Sequence, residues 1–95
     1  MRYRNTIDSM WYVYVLKSLK DNNYYVGMSE NVNRRIKEHN TGKVRSTKSR
    51  IPFKLIYVEK CVDRASARKR EKYLKSATGR RYLHNIVNRG SLPDC

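Results

Sequence analysis

Tyr12–His39 reads YVYVLKSLKDNNYYVGMSENVNRRIKEH, and these residues decide the fold. They spell a β-hairpin running straight into a helix. Trp11–Leu16 is an almost continuous apolar and aromatic run, the pattern of a strand buried on both faces, and belongs at the centre of a sheet. Asp21, Asn22 and Asn23 supply turn chemistry. Tyr24–Val26 returns as a shorter strand that Gly27 closes, and glycine there admits the close approach of other groups. Ser29 or Asn31 caps the helix that follows, with Glu30 in its first turn. At ~100° per residue, Val32, Arg35, Ile36 and His39 share one sector, whereas Arg34, Lys37 and Glu38 fall outside it. Two polar side chains that water would accept are thus aimed inward, beside the tyrosines of the hairpin. Asn40, Thr41 and Gly42 stop the helix.

Working outward, Lys43–Arg50 carries four cations, no anions and several hydroxyls without periodicity, and reads as a basic loop. Pro52 bars helix and starts a third strand, Phe53–Val58, ending near Cys61. Asp63 or Arg64 opens a second helix, with Asp63 the natural cap. Ala67, Glu71 and Leu74 lie within one ~60° sector of it. Gly79 is expected to break this helix, leaving a short last one, Arg80–Asn88, with Leu83 and Val87 one turn apart. The order is β-β-α-β-α-α, an α/β (α+β) chain with a small three-stranded, mostly antiparallel sheet packed with helices. The domain is expected over residues 10–90, with a flexible arm at 1–9 and a tail at 91–95.

The chain has 95 residues, 22 lysines and arginines against eight acids, and a formal net charge of +14. Such an excess points to a polyanionic partner, nucleic acid first and an anionic membrane surface second. No stretch approaches the ~18 consecutive apolar residues of a membrane span, and no helix pairs a large apolar face with a basic one, as membrane-surface binding requires. The cysteines, Cys61 and Cys95, show no zinc spacing. Cys61 reads as a small buried hydrophobe, and the absence of a disulfide pattern suits the cytoplasm.

Three features carry chemistry. Glu71 sits at the centre of an apolar helix sector, where a carboxylate is costly unless paired or bound to a cation. The competing reading is a plain ion pair with one of the many arginines. Arg35 and His39 come second. Arginine can snorkel along an apolar stripe and histidine can sit on a helix dipole. Together they also suit phosphate chemistry: the guanidinium is a permanent bidentate cation, and imidazole orients a nucleophile or moves a proton near neutral pH. Tyr14 and Tyr25 are third. Either is an ordinary cross-strand neighbour, or a phenol whose proton a nearby cation loosens. Tyrosines amid basic groups also suit stacking on single-stranded bases.

In order and spacing, Tyr12-Val13-Tyr14, Tyr25-Val26-Gly27, Arg35, His39 and Glu71 resemble a GIY-YIG nuclease domain. The resemblance runs from Trp11 to about Leu83. The runs from His39 to Arg50 and from Arg70 to Lys75 are similar to the small single-domain bacterial members. Tyr12 stands where that family's first motif has glycine. Asn85 and Asn88 are both candidates for the asparagine that often follows the family's glutamate. The resemblance implies phosphodiester hydrolysis with one divalent ion, Mg2+ or Mn2+. Glu71 would hold the metal, Tyr14 or Tyr25 would accept the proton of the attacking water, Arg35 would stabilise charge on the phosphate, and His39 would orient the nucleophile. Lys43, Arg45, Lys48 and Arg50 would contact the nucleic-acid backbone. The expected function is a DNA endonuclease selective for shape or strandedness, with a protein partner to direct it. The alternative is a non-catalytic DNA- or RNA-binding module on the same fold.

Overall fold

The computed structural model describes residues 10–88. The arm at 1–9 and the tail at 91–95 lie outside the described residues. Strands β1 (Trp11–Ser18), β2 (Tyr24–Ser29) and β3 (Phe53–Cys61) form one antiparallel sheet in the order β2-β1-β3. The apolar run is therefore central, as expected of a strand buried on both faces. Helix α1 (Val32–Asn40) joins β2 to β3, and α2 (Arg64–Lys75) and α3 (Ala77–Asn88) follow β3.

The alternation of β1 builds two cores on opposite faces of the sheet. Val13 and Val15 pack with Val26, Cys61, Ala67, Leu74 and Leu83, which brings α2 and α3 onto one face. Tyr14 and Leu16 pack with Phe53, Tyr25, Val32 and Ile36, which brings α1 onto the other. Cys61 is a free, buried thiol, and burial pushes its pKa up.

Several local devices fix the layers. The hairpin turn passes through Asn22, whose φ of 62° lies in the left-handed region that asparagine tolerates. The buried Ser18 hydroxyl accepts from the amides of Lys20 and Asp21 and donates to the Arg50 carbonyl, tying the turn to the distant loop. Asn40, at the last turn of α1, donates to the Phe53 carbonyl and accepts from the Phe53 amide. This pair of hydrogen bonds fastens α1 to the start of β3. Asp63 caps α2 by accepting from the Ser66 amide at 2.8 Å.

Three sequence expectations need correction. Strand β2 does not close at Gly27: it continues through Met28 and Ser29, which pair with Val13 and Tyr12. Asn31 alone caps α1, accepting from the Arg34 amide at 3.0 Å, and Glu30 precedes the helix rather than entering its first turn. The break between α2 and α3 falls at Ser76, not Gly79. Ser76 is extended (φ −76°, ψ 167°), and its hydroxyl accepts from the Gly79 amide at 3.1 Å as the cap of α3. Gly79 lies inside α3, where a Cβ would run into the Tyr73 carbonyl and come within 2.6 Å of the Leu74 Cα. It is glycine because two helix backbones meet there.

Candidate active site

The site is built around the Tyr14 phenol. Tyr14 faces α1 from the central strand and is directly opposite Gly27 of β2. Because Gly27 has no side chain, the phenol can lie over it: a Cβ at Gly27 would stand 2.5 Å from the Tyr14 hydroxyl oxygen. The last turn of α1 delivers His39 to the same place, and His39 is fully buried. Its Nε2 lies 3.0 Å from the Tyr14 hydroxyl, and its Nδ1 lies 2.8 Å from the Thr47 Oγ1. Thr47 is also fully buried and makes a long 3.4 Å contact as donor to the Val44 carbonyl. Assigned from this network, Nδ1 carries the proton and donates to Thr47, leaving Nε2 bare to accept from Tyr14. Tyr25 closes the site from β2, its ring centroid 4.8 Å from the His39 ring in an edge arrangement and 6.4 Å from Tyr14.

Charged groups surround this buried line. Arg35 donates to Glu38 at 2.8 Å, and its guanidinium charge draws the Tyr14 pKa down. Glu71, on the α2 stripe with Ala67 and Leu74, is close enough to raise it. Burial is the largest influence, Tyr25 adds to it, and together they outweigh Arg35, so the Tyr14 phenol is pushed up to about 12. The expectation that a neighbouring cation loosens this proton is thereby corrected for Tyr14: removal from water wins. Glu71 is 14% exposed and pairs with Lys75 at 3.2 Å, the next turn of its own helix, and with no arginine among the described residues.

Burial, followed by Arg35, pulls the His39 pKa down to about 4, with Glu38 opposing. His39 is therefore neutral at physiological pH. On acidification the unfolded chain takes up this proton near the ordinary ~6.5, before the folded one does. The resulting stability is complete above about pH 6.5 and is lost as pH falls toward 4, a contribution on the order of 3 kcal/mol. Urea unfolding at pH 7, 5.5 and 4.5 should show this slope, and His39→Gln should flatten it.

Tyr14, Tyr25, Arg35, His39 and Glu71 are thus brought together. The four basic residues of the loop after α1 are not equivalent. Lys43, Arg45 and Lys48 are exposed. Arg50 instead pairs with Asp21 at 3.0 Å, reaches the Tyr24 carbonyl at 3.4 Å and lies over the Phe53 ring, so its first task is to hold the loop on the hairpin. Sequence reasoning missed Thr47 and Asn40. Nothing in the sequence singles out Thr47 from Ser46 and Ser49, the other hydroxyls of the same loop.

The chain as a whole is similar to known proteins. The family model of the GIY-YIG catalytic domain matches residues 10–83. The chain is 40% identical over 84 residues to the UPF0213 protein DP2720 of Desulfotalea psychrophila, covering 84% of this chain and 76% of that one. It is also 40% identical over 81 residues to the UPF0213 protein CPE1444 of Clostridium perfringens, covering 84% and 86%. The solution NMR structure of the UPF0213 protein BH0048 from Bacillus halodurans is similar with a TM-score of 0.50 at 32% identity, over 81% of this chain and 84% of that one. The chain belongs to the GIY-YIG family, with its nuclease-type fold, and its relatives are the small UPF0213 proteins of bacteria.

Proposed function

We propose that this protein is a divalent-metal-dependent endonuclease that hydrolyses phosphodiester bonds in DNA in the cytoplasm, choosing substrates by shape or strandedness. The observation that carries this reading is the buried line Tyr14–His39–Thr47, with contacts of 3.0 and 2.8 Å, set between a guanidinium and a carboxylate. These buried groups satisfy one another's hydrogen bonds, and hydrolysis of a phosphodiester has a use for the phenol and the imidazole.

Glu71 is the residue to hold a metal. Among the described residues no group of three or more His, Cys, Asp or Glu side chains converges. One carboxylate suits a single hard ion that keeps most of its waters, Mg2+ or Mn2+, and does not suit zinc. Such an ion, when bound, supplies Lewis-acid stabilisation of the leaving oxygen. The chain does the rest. Arg35 neutralises charge building on the phosphate. Tyr14 takes the proton of the attacking water as it passes its own to the bare Nε2 of His39, while Nδ1 stays bonded to Thr47. The resulting hydroxide attacks phosphorus, the bond to the leaving oxygen breaks, that oxygen takes a proton from solvent, and His39 returns its proton to solvent through Tyr14. The phenol thus acts without first becoming a phenolate, which its raised pKa requires. The entering phosphate's negative charge favours the imidazolium that forms. Lys43, Arg45 and Lys48 are placed to follow the backbone.

The test is cleavage of labelled single-stranded, duplex and branched DNA with Mg2+, Mn2+ or EDTA. Cleavage with either ion and none in EDTA is expected. Tight binding without cleavage of any substrate would remove the enzyme reading. One observation favours that second reading, a non-catalytic DNA- or RNA-binding module: Lys75 already balances Glu71.

A further inference from the structure

A cleft of about 760 Å³ opens beside the active site, between the edge strand β2 and the helices α2 and α3. Its walls carry four cations, Lys17, Arg50, Lys75 and Arg80, and two aromatics, Tyr24 and Tyr25, with the Asn22 and Asn23 amides at the hairpin turn. No acidic residue among the described residues lines it. Arg50 and Lys75 are engaged with Asp21 and Glu71, but Lys17 and Arg80 have no ion-pair partner among the described residues.

The cleft shares two walls with the site. Tyr25 packs against His39 at 4.8 Å, and Lys75 lies 3.2 Å from Glu71. The site and the cleft therefore adjoin at Tyr25 and Lys75.

We propose that this cleft binds an unpaired nucleic-acid strand flanking the scissile phosphate, with Lys17 and Arg80 on its phosphates and Tyr24 and Tyr25 against its bases. The proposal rests on the nuclease reading for the position of the scissile phosphate, and on the cleft alone for strand binding. Its volume lies in the range that engulfs a small organic ligand, about the scale of one or two nucleotides. A duplex stacks its base faces internally and would meet only the rim cations. An unpaired strand offers both free base faces and phosphates, and a wall of tyrosines and amides among cations serves both. The cleft thus gives the active site a preference for substrates with a single-stranded arm, either a free strand or a branch.

The experiment is fluorescence anisotropy in EDTA, where nothing is cut, with a labelled 12-nucleotide single-stranded DNA and a duplex of the same length. Lys17→Glu/Arg80→Glu is compared with Lys60→Glu/Lys69→Glu, which makes the same charge change at exposed positions of β3 and α2 outside the cleft. Thermal unfolding confirms that each variant is folded. The cleft pair should weaken single-strand binding by about tenfold or more beyond the control pair, with little difference between them on duplex. Equal losses for the two pairs on single strands would overturn the proposal, as would equal losses on both substrates. The two readings fail separately. A wild-type protein that cuts nothing but shows the cleft-dependent single-strand loss retains the cleft and loses the nuclease, whereas cleavage with no cleft dependence does the reverse.

Discussion

Glu71→Gln should lower metal-dependent cleavage by about 10³-fold, the scale of losing a group that directly stabilises the transition state. Glutamine keeps the shape of the side chain and removes the charge that would hold a divalent ion. The fold should survive, because the interaction lost is the Lys75 pair, whose lysine side chain is 52% exposed. Pairs of this kind contribute roughly 0–1 kcal/mol. DNA binding in EDTA should hold or strengthen several-fold, because a carboxylate repels phosphate and Lys75 is released from it. The diagnostic is the opposite movement of the two readouts: cleavage down, binding level or up. A merely structural Glu71 would lower both together with the unfolding midpoint. Cleavage at the wild-type rate in Glu71→Gln would show that the metal is held elsewhere.

The hairpin was legible because its signals agree at every level. A run of β-branched and aromatic residues, an Asx-rich turn and a second tyrosine-bearing strand permit one pairing, and the structure has it. The ends of elements were less legible, for tertiary reasons. Gly27 looks like a strand terminus because glycine usually weakens strands, yet the ladder to β1 continues to Ser29. Gly79 looks like a helix stop for the same local reason. Its actual role depends on the backbone of α2 lying against it, which no window of sequence around it describes.

The site shows the same division. Arg35 and His39 could be found because the helical period places them with Val32 and Ile36, and Glu71 because it interrupts an apolar sector. Thr47 lies in a segment without periodicity, so nothing local marks it as the partner of the His39 Nδ1. Arg50 read as one of four loop cations. Its commitment to Asp21 follows from Ser18 docking the turn on that loop, a contact spanning 32 positions. The Tyr14 phenol is the sharpest case. A cation beside a tyrosine suggests a lowered pKa, but the sequence cannot weigh Arg35 against burial, and burial wins.

Gly27→Ala should damage the fold and the site together. Alanine is ordinarily the better strand residue, since glycine costs about 0.5–1 kcal/mol in a strand interior. Here the added methyl would stand 2.5 Å from the Tyr14 hydroxyl oxygen, 2.7 Å from its Cζ and 3.0 Å from the Tyr25 Cε2. Tyr14 is 1% exposed and wedged against Leu16 and Phe53, so the ring cannot swing into solvent. The phenol must move off His39, the 3.0 Å contact breaks, and two buried polar groups lose their partner. The expected loss is about 3 kcal/mol of stability from overpacking and unsatisfied polar atoms, with cleavage falling by about 10²-fold or more as the proton path opens. Gly42→Ala is the control. Gly42 has a φ of +81°, so alanine there costs backbone strain, but its Cβ would meet nothing closer than a Lys48 methylene at 3.6 Å. That variant should lose about 1 kcal/mol and keep its activity. A double-mutant cycle identifies the cause. Tyr14→Phe removes the oxygen that the added methyl would strike, so the cost of Gly27→Ala should shrink by about 1 kcal/mol in that background. Strict additivity would mean that the glycine serves the strand backbone and not the phenol, and the site's dependence on Gly27 would then have to be abandoned.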